Sequence, residues 1–410
     1  MSLGAGMGYL LSPTMRSVFA QSASAAPPGA TKAQHLILLW MNGGPSHIDT
    51  FDPKPGRATG GSFSAIDTAI PGVKFSQHLP RLAASAKDLV VVRSMTSREG
   101  SHGRAMFLLH TGYIPNPSVK YPSLGSIVSH ERGKKDFDLP NFVSLGGPSE
   151  GAGFFGPQHA PFVVRAKPGQ PIENLKYFKK VDAARFEERL KLVEFLDKGF
   201  AARGAAAEAA AHEDVLKKAT RMIQSPSVKA FELDGESEAT KKGYGQSDFG
   251  QRCLMARRLI EAGVPAVEIE LGGWDTHDNN FQRSAKLMNA LDPAFAQLIA
   301  DLKERNLFDK TVIVCLGEFG RSPHINPKDG RDHHPRAFSA VLAGGALKTG
   351  QAVGTTDADG KDVVGQGVQV SDLFATLMTA MAIDPTKIYT ANDRPIALAN
   401  KGKVIKEIVS

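Results

Sequence analysis

The stretch Val264–His277, VPAVEIELGGWDTH, constrains the fold more than any other. An apolar, β-branched run stops at two glycines, and an Asp and a His follow two positions apart. Such a run reads as a strand buried in a sheet. In open α/β sheets ligands gather beyond the carboxyl ends of the strands, so Asp275 and His277 stand where a site is expected. The design recurs at Thr311–Arg321, TVIVCLGEFGR, where a strand runs into Glu318 and Arg321. Just beyond lie Asp332, His333 and His334 in GRDHHP, and an earlier version is His35–Asp52, HLILLWMNGGPSHIDTFD.

Strand and helix patterns alternate along the chain. DLVVVR at 88–93 is a strand, 139–145 another, and 338–342 a further one. QRCLMARRLIEA at 251–262 is an amphipathic helix closed by Gly263, Asp292–Pro293 reads as a cap and first turn, and Ser371 as the cap of a last helix. Alternation of this kind predicts an α/β/α sandwich with a mainly parallel central sheet. Residues 183–225 change character. They are Ala-, Glu- and Lys-rich with helical periodicity and a break near Gly204, which predicts a helical insertion on the outside of one domain spanning 31–410.

Residues 1–30 stand apart. They are rich in Ala, Ser, Gly and Pro and end ASAAPPGA, with small residues at 23–26 as at a signal-peptidase site but no basic stretch in front. This predicts either export to the periplasm or cell surface or a disordered extension, and the second leaves a cytoplasmic location open. The net charge of +7 favours anionic partners, but no dense Lys/Arg block points to nucleic acid. No apolar run is long enough to span a bilayer. Cys253 and Cys315 fall in a helix and a strand pattern and read as buried thiols. The chain carries no signal for an oligomeric state.

The polar residues at the strand ends suit a hydrolytic divalent metal site built from carboxylates and imidazoles. Candidates are Asp49, Asp52, Asp275, His277, Glu318, Asp332, His333 and His334. A mixed imidazole and carboxylate set suits zinc or manganese better than calcium or magnesium. The alternative for each residue is a purely structural loop contact.

Taken together, NGGPSHIDTFDPKPG, HTGYIP, CLMARRLIEAGV, GGWDTH, GEFGRSP, GRDHHP and VSDLFATLM resemble the bacterial domain of unknown function 1501 family, related to the alkaline phosphatase and sulfatase superfamily. The likeness runs from about Gln34 onward. It implies the superfamily fold and an activity on phosphate or sulfate esters, with an anionic small-molecule or glycan ester as substrate. Asp275 and His277 resemble the Asp and His of one metal position, completed by His333 or His334. Asn42 stands where the first strand normally ends in an Asp ligand and is itself a candidate ligand, since its side-chain carbonyl can hold calcium or magnesium without adding charge; Phe319 stands where a His follows the acidic ligand. These departures leave one metal position and weaken the second. The segment GRAMFLLHTGYIP is similar to the one that follows the sulfatase nucleophile. By that likeness the nucleophile position falls at Gly100, one short of Ser101; Ser101, before a helix N-terminus that favours a bound anion, leads as the nucleophile, with Thr96 behind it. No Cys stands there, which excludes formylglycine chemistry. His102 reads as a ligand, a proton donor or a cap, and Arg104 and Arg321 as donors to an oxyanion. The second reading is a catalytically inert binding or secretion-accessory protein that keeps the fold, favoured by Asn42 and Phe319.

Overall fold

The structure, a computed structural model, describes residues 33–409 apart from 171, 173, 174 and 178–180. The signal-like segment 1–30 lies outside the described residues. Among the described residues the central sheet has nine strands: β1 (His35–Trp40), β2 (Leu89–Thr96), β3 (Phe142–Leu145), β4 (Phe162–Val164), β5 (Ala266–Glu270), β6 (Thr311–Leu316), β7 (Phe338–Gly344), β8 (Gln351–Val353) and β9 (Val368–Gln369). Their order across the sheet is β8-β2-β7-β6-β1-β5-β3-β4, with β9 beside the end of β2. All pairs are parallel except those of β7, which runs against both β2 and β6.

The parallel strands explain the near-continuous apolar runs of the sequence. Every residue of β1 and of β6 is buried, because both sheet faces are covered. Side chains alternate between two cores. Ile37 and Leu39 of β1 enter one with Cys253, Leu254, Met288 and Phe295. Leu36, Leu38 and Trp40 enter the other with Leu109, Ile127, Phe374 and Leu377. The first core lies under α5 (Asp248–Glu261) and α6 (Asn280–Glu304), the second under α1 (His102–Thr111), α2 (Leu124–Arg132) and α7 (Val370–Ala380). Two further long helices, α3 (Ala183–Ala201) and α4 (Ala206–Gln224), pack on each other. The expected α/β/α sandwich is therefore present, and both cysteines are buried free thiols. Among the described residues no helix is long and apolar enough to cross a membrane.

Two expected helix starts move. Asp292 does not start a helix, because α6 runs through Pro293. Its carboxylate instead accepts the N–H groups of Arg81 (3.1 Å) and Leu82 (2.8 Å), and so caps the short helix Pro80–Ala84 from a distant part of the chain. The start of α7 is held at Gln369, whose N–H donates to Asp372 at 3.2 Å, rather than at Ser371.

The reversed direction of β7 brings a long loop to the carboxyl edge. Antiparallel neighbours need no crossover helix, so the chain leaves the carboxyl end of β6, loops over residues 317–337 and re-enters the sheet at the same edge. That loop carries Glu318, Arg321, Asp332 and His333 at the edge where β1 and β5 also end.

Candidate metal centre

The loops after β1 and β5 touch backbone to backbone. Gly43 has φ +116°, and a Cβ on it would lie 2.3 Å from the Asp275 amide nitrogen, so only glycine fits. The Asn42 carbonyl accepts the Trp274 N–H at 3.1 Å. Trp274 itself is 1% exposed in the core, so Asp275 follows a residue that is fixed by packing. The Gly43 N–H in turn donates to both oxygens of Glu318, at 3.0 and 3.2 Å. Glu318 is wholly buried, and its next partner is His102 Nδ1 at 2.6 Å.

Around Asp275 Oδ1 three imidazoles converge. His277 Nε2 lies at 3.1 Å, His102 Nε2 at 3.3 Å and His333 Nε2 at 3.4 Å. The Nε2 atoms of His277 and His333 are 3.0 Å apart. Each ring is held from behind through Nδ1: His102 by Glu318, His277 by Asp332 at 2.9 Å, and His333 by the Gly100 carbonyl at 2.8 Å. An imidazole that donates from Nδ1 presents a lone pair at Nε2. This is how metal-binding histidines are oriented, with a carboxylate or carbonyl on the other nitrogen.

The chemistry of the donor set fits a metal ion. Two lone pairs facing each other across 3.0 Å repel, and a cation or a proton between them removes the repulsion. His102 Nε2 is a buried nitrogen without a hydrogen-bond partner, which is costly for a polar atom unless something else satisfies it. Ligand atoms about 2.0–2.1 Å from a tetrahedral zinc are about 3.3 Å from one another, close to the separations found here. His102, Asp275 and His333 offer ligand atoms that are all mutually near enough to share one ion.

The electrostatics follow from the same contacts. Burial alone would raise the Asp275 pKa, but the Arg321 hydrogen bond and charge, with His102 and His277, hold it at about 2. Asp275 is therefore a carboxylate at any physiological pH. The Glu318 hydrogen bond raises the His102 pKa, while burial lowers that of His333. The His277 hydrogen bond lowers the pKa of Asp332. Phe319 closes one side, its ring 4.9 Å from His102 and 4.5 Å from His333 between centroids.

The expected residues divide sharply. Asp275, His277 and His333 converge, Glu318 stands one step behind, and His102 joins as a candidate ligand rather than only a cap. His334 does not join. In the two-residue strand His333–His334 successive side chains point to opposite sides. His334 Nε2 meets the Lys361 carbonyl at 2.7 Å, and the ring stacks with His47 at 6.3 Å. Asp49, expected as a ligand, is buried in an ion pair with Arg331 (2.8 and 2.9 Å) and accepts from Asn280. Asn42, expected as a ligand, donates to Glu270 at 2.8 Å. Asp52 takes Lys54 and the Thr356 hydroxyl.

Arg321, expected to bind an oxyanion, is wholly buried and donates to the carbonyls of Gly43, Gly44 and Arg331 as well as to Asp275. It locks three loops together and fixes Asp275. Arg104, expected in the same role, is about half exposed and forks onto Glu99 with two 2.8 Å bonds. Ser101 is the exposed residue before α1 and makes no side-chain bond to its own helix. Thr96 ends β2, where a Cβ on Gly367 would meet its methyl group at 2.6 Å. The Gly100 carbonyl carries no sequence signal. The Asp332–His277 contact was open to reading from the crowding of Asp and His in GRDHHP.

The family described as "Protein of unknown function (DUF1501)" matches residues 33–409, and the chain belongs to that family. No curated protein matches it in sequence. Solved structures that it resembles in fold include Ps i-CgsB, at 12% identity and TM-score 0.44 over 91% of this chain and 75% of that one. They also include the PsFucS1 sulfatase from Pseudoalteromonas sp., at 15% identity and TM-score 0.40 over 86% and 68%. A protein in the alkaline phosphatase superfamily from Vibrio parahaemolyticus matches at 10% identity and TM-score 0.41 over 93% and 72%.

Proposed function

We propose that this protein is an exported hydrolase of anionic phosphate or sulfate esters that works with one divalent metal ion, zinc or manganese, held by His102, Asp275, His277 and His333. The observation that carries the reading is the set of three histidines, each anchored through Nδ1, whose Nε2 atoms surround one oxygen of Asp275. When bound, such an ion polarises the ester oxygen and lowers the pKa of a water molecule.

The chain's own residues supply the rest. Glu318 and Asp332 hold His102 and His277 in the tautomer that leaves Nε2 free. Arg321 keeps the Asp275 carboxylate charged and aimed. Asp275 and His277 are nearly half exposed, so the cluster is open to a substrate from solvent. The amino end of α1 starts at His102 and favours an anion there. Ser101 beside it stands as the side-chain nucleophile, with water as the other candidate. The Ala-rich stretch ending ASAAPPGA supports export.

A catalytically inert binding protein is the second reading. Phe319 offers a ring where a ligand is needed, and the Asn42 amide is engaged with Glu270, so the cluster supports a single ion and not a pair. The test measures metal content, melting temperature with and without a chelator, and hydrolysis of p-nitrophenyl phosphate and sulfate. It uses wild type, Asp275→Ala and His277→Ala. The expected result is one ion per wild-type chain, a chelator-sensitive melting temperature, and loss of metal and turnover in both variants. Equal metal content and melting temperature in all samples would end the metal reading. Bound metal with no turnover of any ester would leave the binding protein.

A further inference from the structure

We infer that the α3–α4 hairpin and the sheet edge beneath it form a binding cavity for a single-chain amphiphile with an anionic head group. The space between them measures about 1240 Å³, above the usual ~300–1,000 Å³ of small-ligand sites. Its walls are apolar: Phe162 on β4, Leu190 and Val193 on α3, and Leu216, Ala219 and Ile223 on α4. None of the metal-site residues lines it.

Two further observations choose the occupant. The charged side chains on the wall are Lys176, Arg189 and Lys218, and no carboxylate stands among the described lining residues. An apolar volume with only cations at its wall complements an alkyl chain that ends in an anion. Lys218 reaches the Gln158 carbonyl at 3.3 Å, and burial lowers its ammonium pKa, so an anion beside it restores lost solvation. The hairpin also exposes Leu192, Phe195, Leu196 and Phe200 on its outside, Phe195 to 72%. Val215 lines the cavity and is itself 38% exposed. The cavity therefore meets solvent at an apolar residue, a point at which an alkyl chain could enter.

The experiment titrates the purified full-length protein with dodecanoate and with uncharged 1-dodecanol by calorimetry. Wild type is compared with Lys218→Glu, Ala219→Trp and, from the opposite wall, Leu190→Trp. Far-ultraviolet circular dichroism and melting temperature report that each variant is folded, whether or not a metal is bound. The expected result is saturable binding of one dodecanoate per chain. Lys218→Glu should weaken dodecanoate by about ten-fold or more, the loss of one charge-assisted contact, and leave dodecanol nearly unchanged. Folded tryptophan variants should lose both ligands. Flotation with phosphatidylglycerol vesicles separates the free amphiphile from a bilayer. No saturable dodecanoate binding by wild type overturns the inference. So do binding that persists in a folded cavity-filled variant, and vesicle binding without dodecanoate binding.

Discussion

The imidazole of His102 and the carboxylate of Glu318 are 216 residues apart in sequence and 2.6 Å apart in space. One starts a helix and the other leaves the end of β6, and Glu318 is the wholly buried member of the pair. The contact decides which nitrogen of His102 faces Asp275. Glu318→Gln keeps the shape but gives up the charge that fixes the tautomer. Metal affinity should fall by about 10–100-fold, read by competition with a chelating dye. An unchanged affinity would show that Glu318 only holds the Gly43 N–H.

The pleat of the strand His333–His334 separates two adjacent histidines. His333→Ala should remove the metal, whereas His334→Ala should keep it and loosen only the loop at Lys361. Metal stoichiometry on the two purified variants checks this. Loss in both, or in His334→Ala alone, would place the wrong ring in the cluster.

Asp49 and Arg331 form a fully buried ion pair. Removing one partner leaves a buried charge without compensation, at a cost of about 3–5 kcal/mol. Asp49→Ala should therefore lower stability to denaturant by about that amount, while folded protein keeps its metal stoichiometry. Metal loss at full stability would instead return Asp49 to the ligand set.

His47 is buried with Nε2 on the Gly360 carbonyl, and burial lowers its pKa to about 4. The unfolded imidazole titrates near ~6.5. Between these values the unfolded chain binds a proton that the folded one refuses, so stability falls as pH drops from about 6.5 to about 4, and the effect levels off below. The slope from one histidine is at most about 1.4 kcal/mol per pH unit. His47→Gln cannot titrate, and its denaturation free energy should lack that part of the slope. Parallel pH profiles for wild type and variant would refute the assignment.

The sheet was legible because both its faces are covered, which writes the strands as unbroken apolar runs such as LILLW and VIVCL. The carboxyl-edge rule then located Asp275, His277 and Glu318 without any knowledge of pairing. What stayed hidden depends on distances across the chain. Asp49 and Asp275 look alike in sequence, yet Asp49 meets Arg331, 282 positions away, and becomes part of the scaffold. Arg321 read as an anion binder because its chemistry allows it. Its burial among three carbonyls is a tertiary fact. His102 was ambiguous because a helix start suits capping and ligation equally. Its Nε2, buried without a hydrogen-bond partner beside Asp275, favours the ligand reading. The pleat that separates His333 from His334 belongs to extended backbone, but the sequence around GRDHHP carries no clear strand signal.

Because β6 and β7 pair side by side, the loop 317–337 is tethered to the sheet at both ends. Its exposed tip, Pro327–Asp329, therefore carries no tension from one end to the other. A chain cut there would become two pieces, one ending after Glu318 and Arg321 and the other beginning before His333. Neither piece holds all four of the proposed ligands. Their reassembly would be a two-fragment reaction joined through a shared sheet and a shared ion, so complementation between them would itself become metal-dependent.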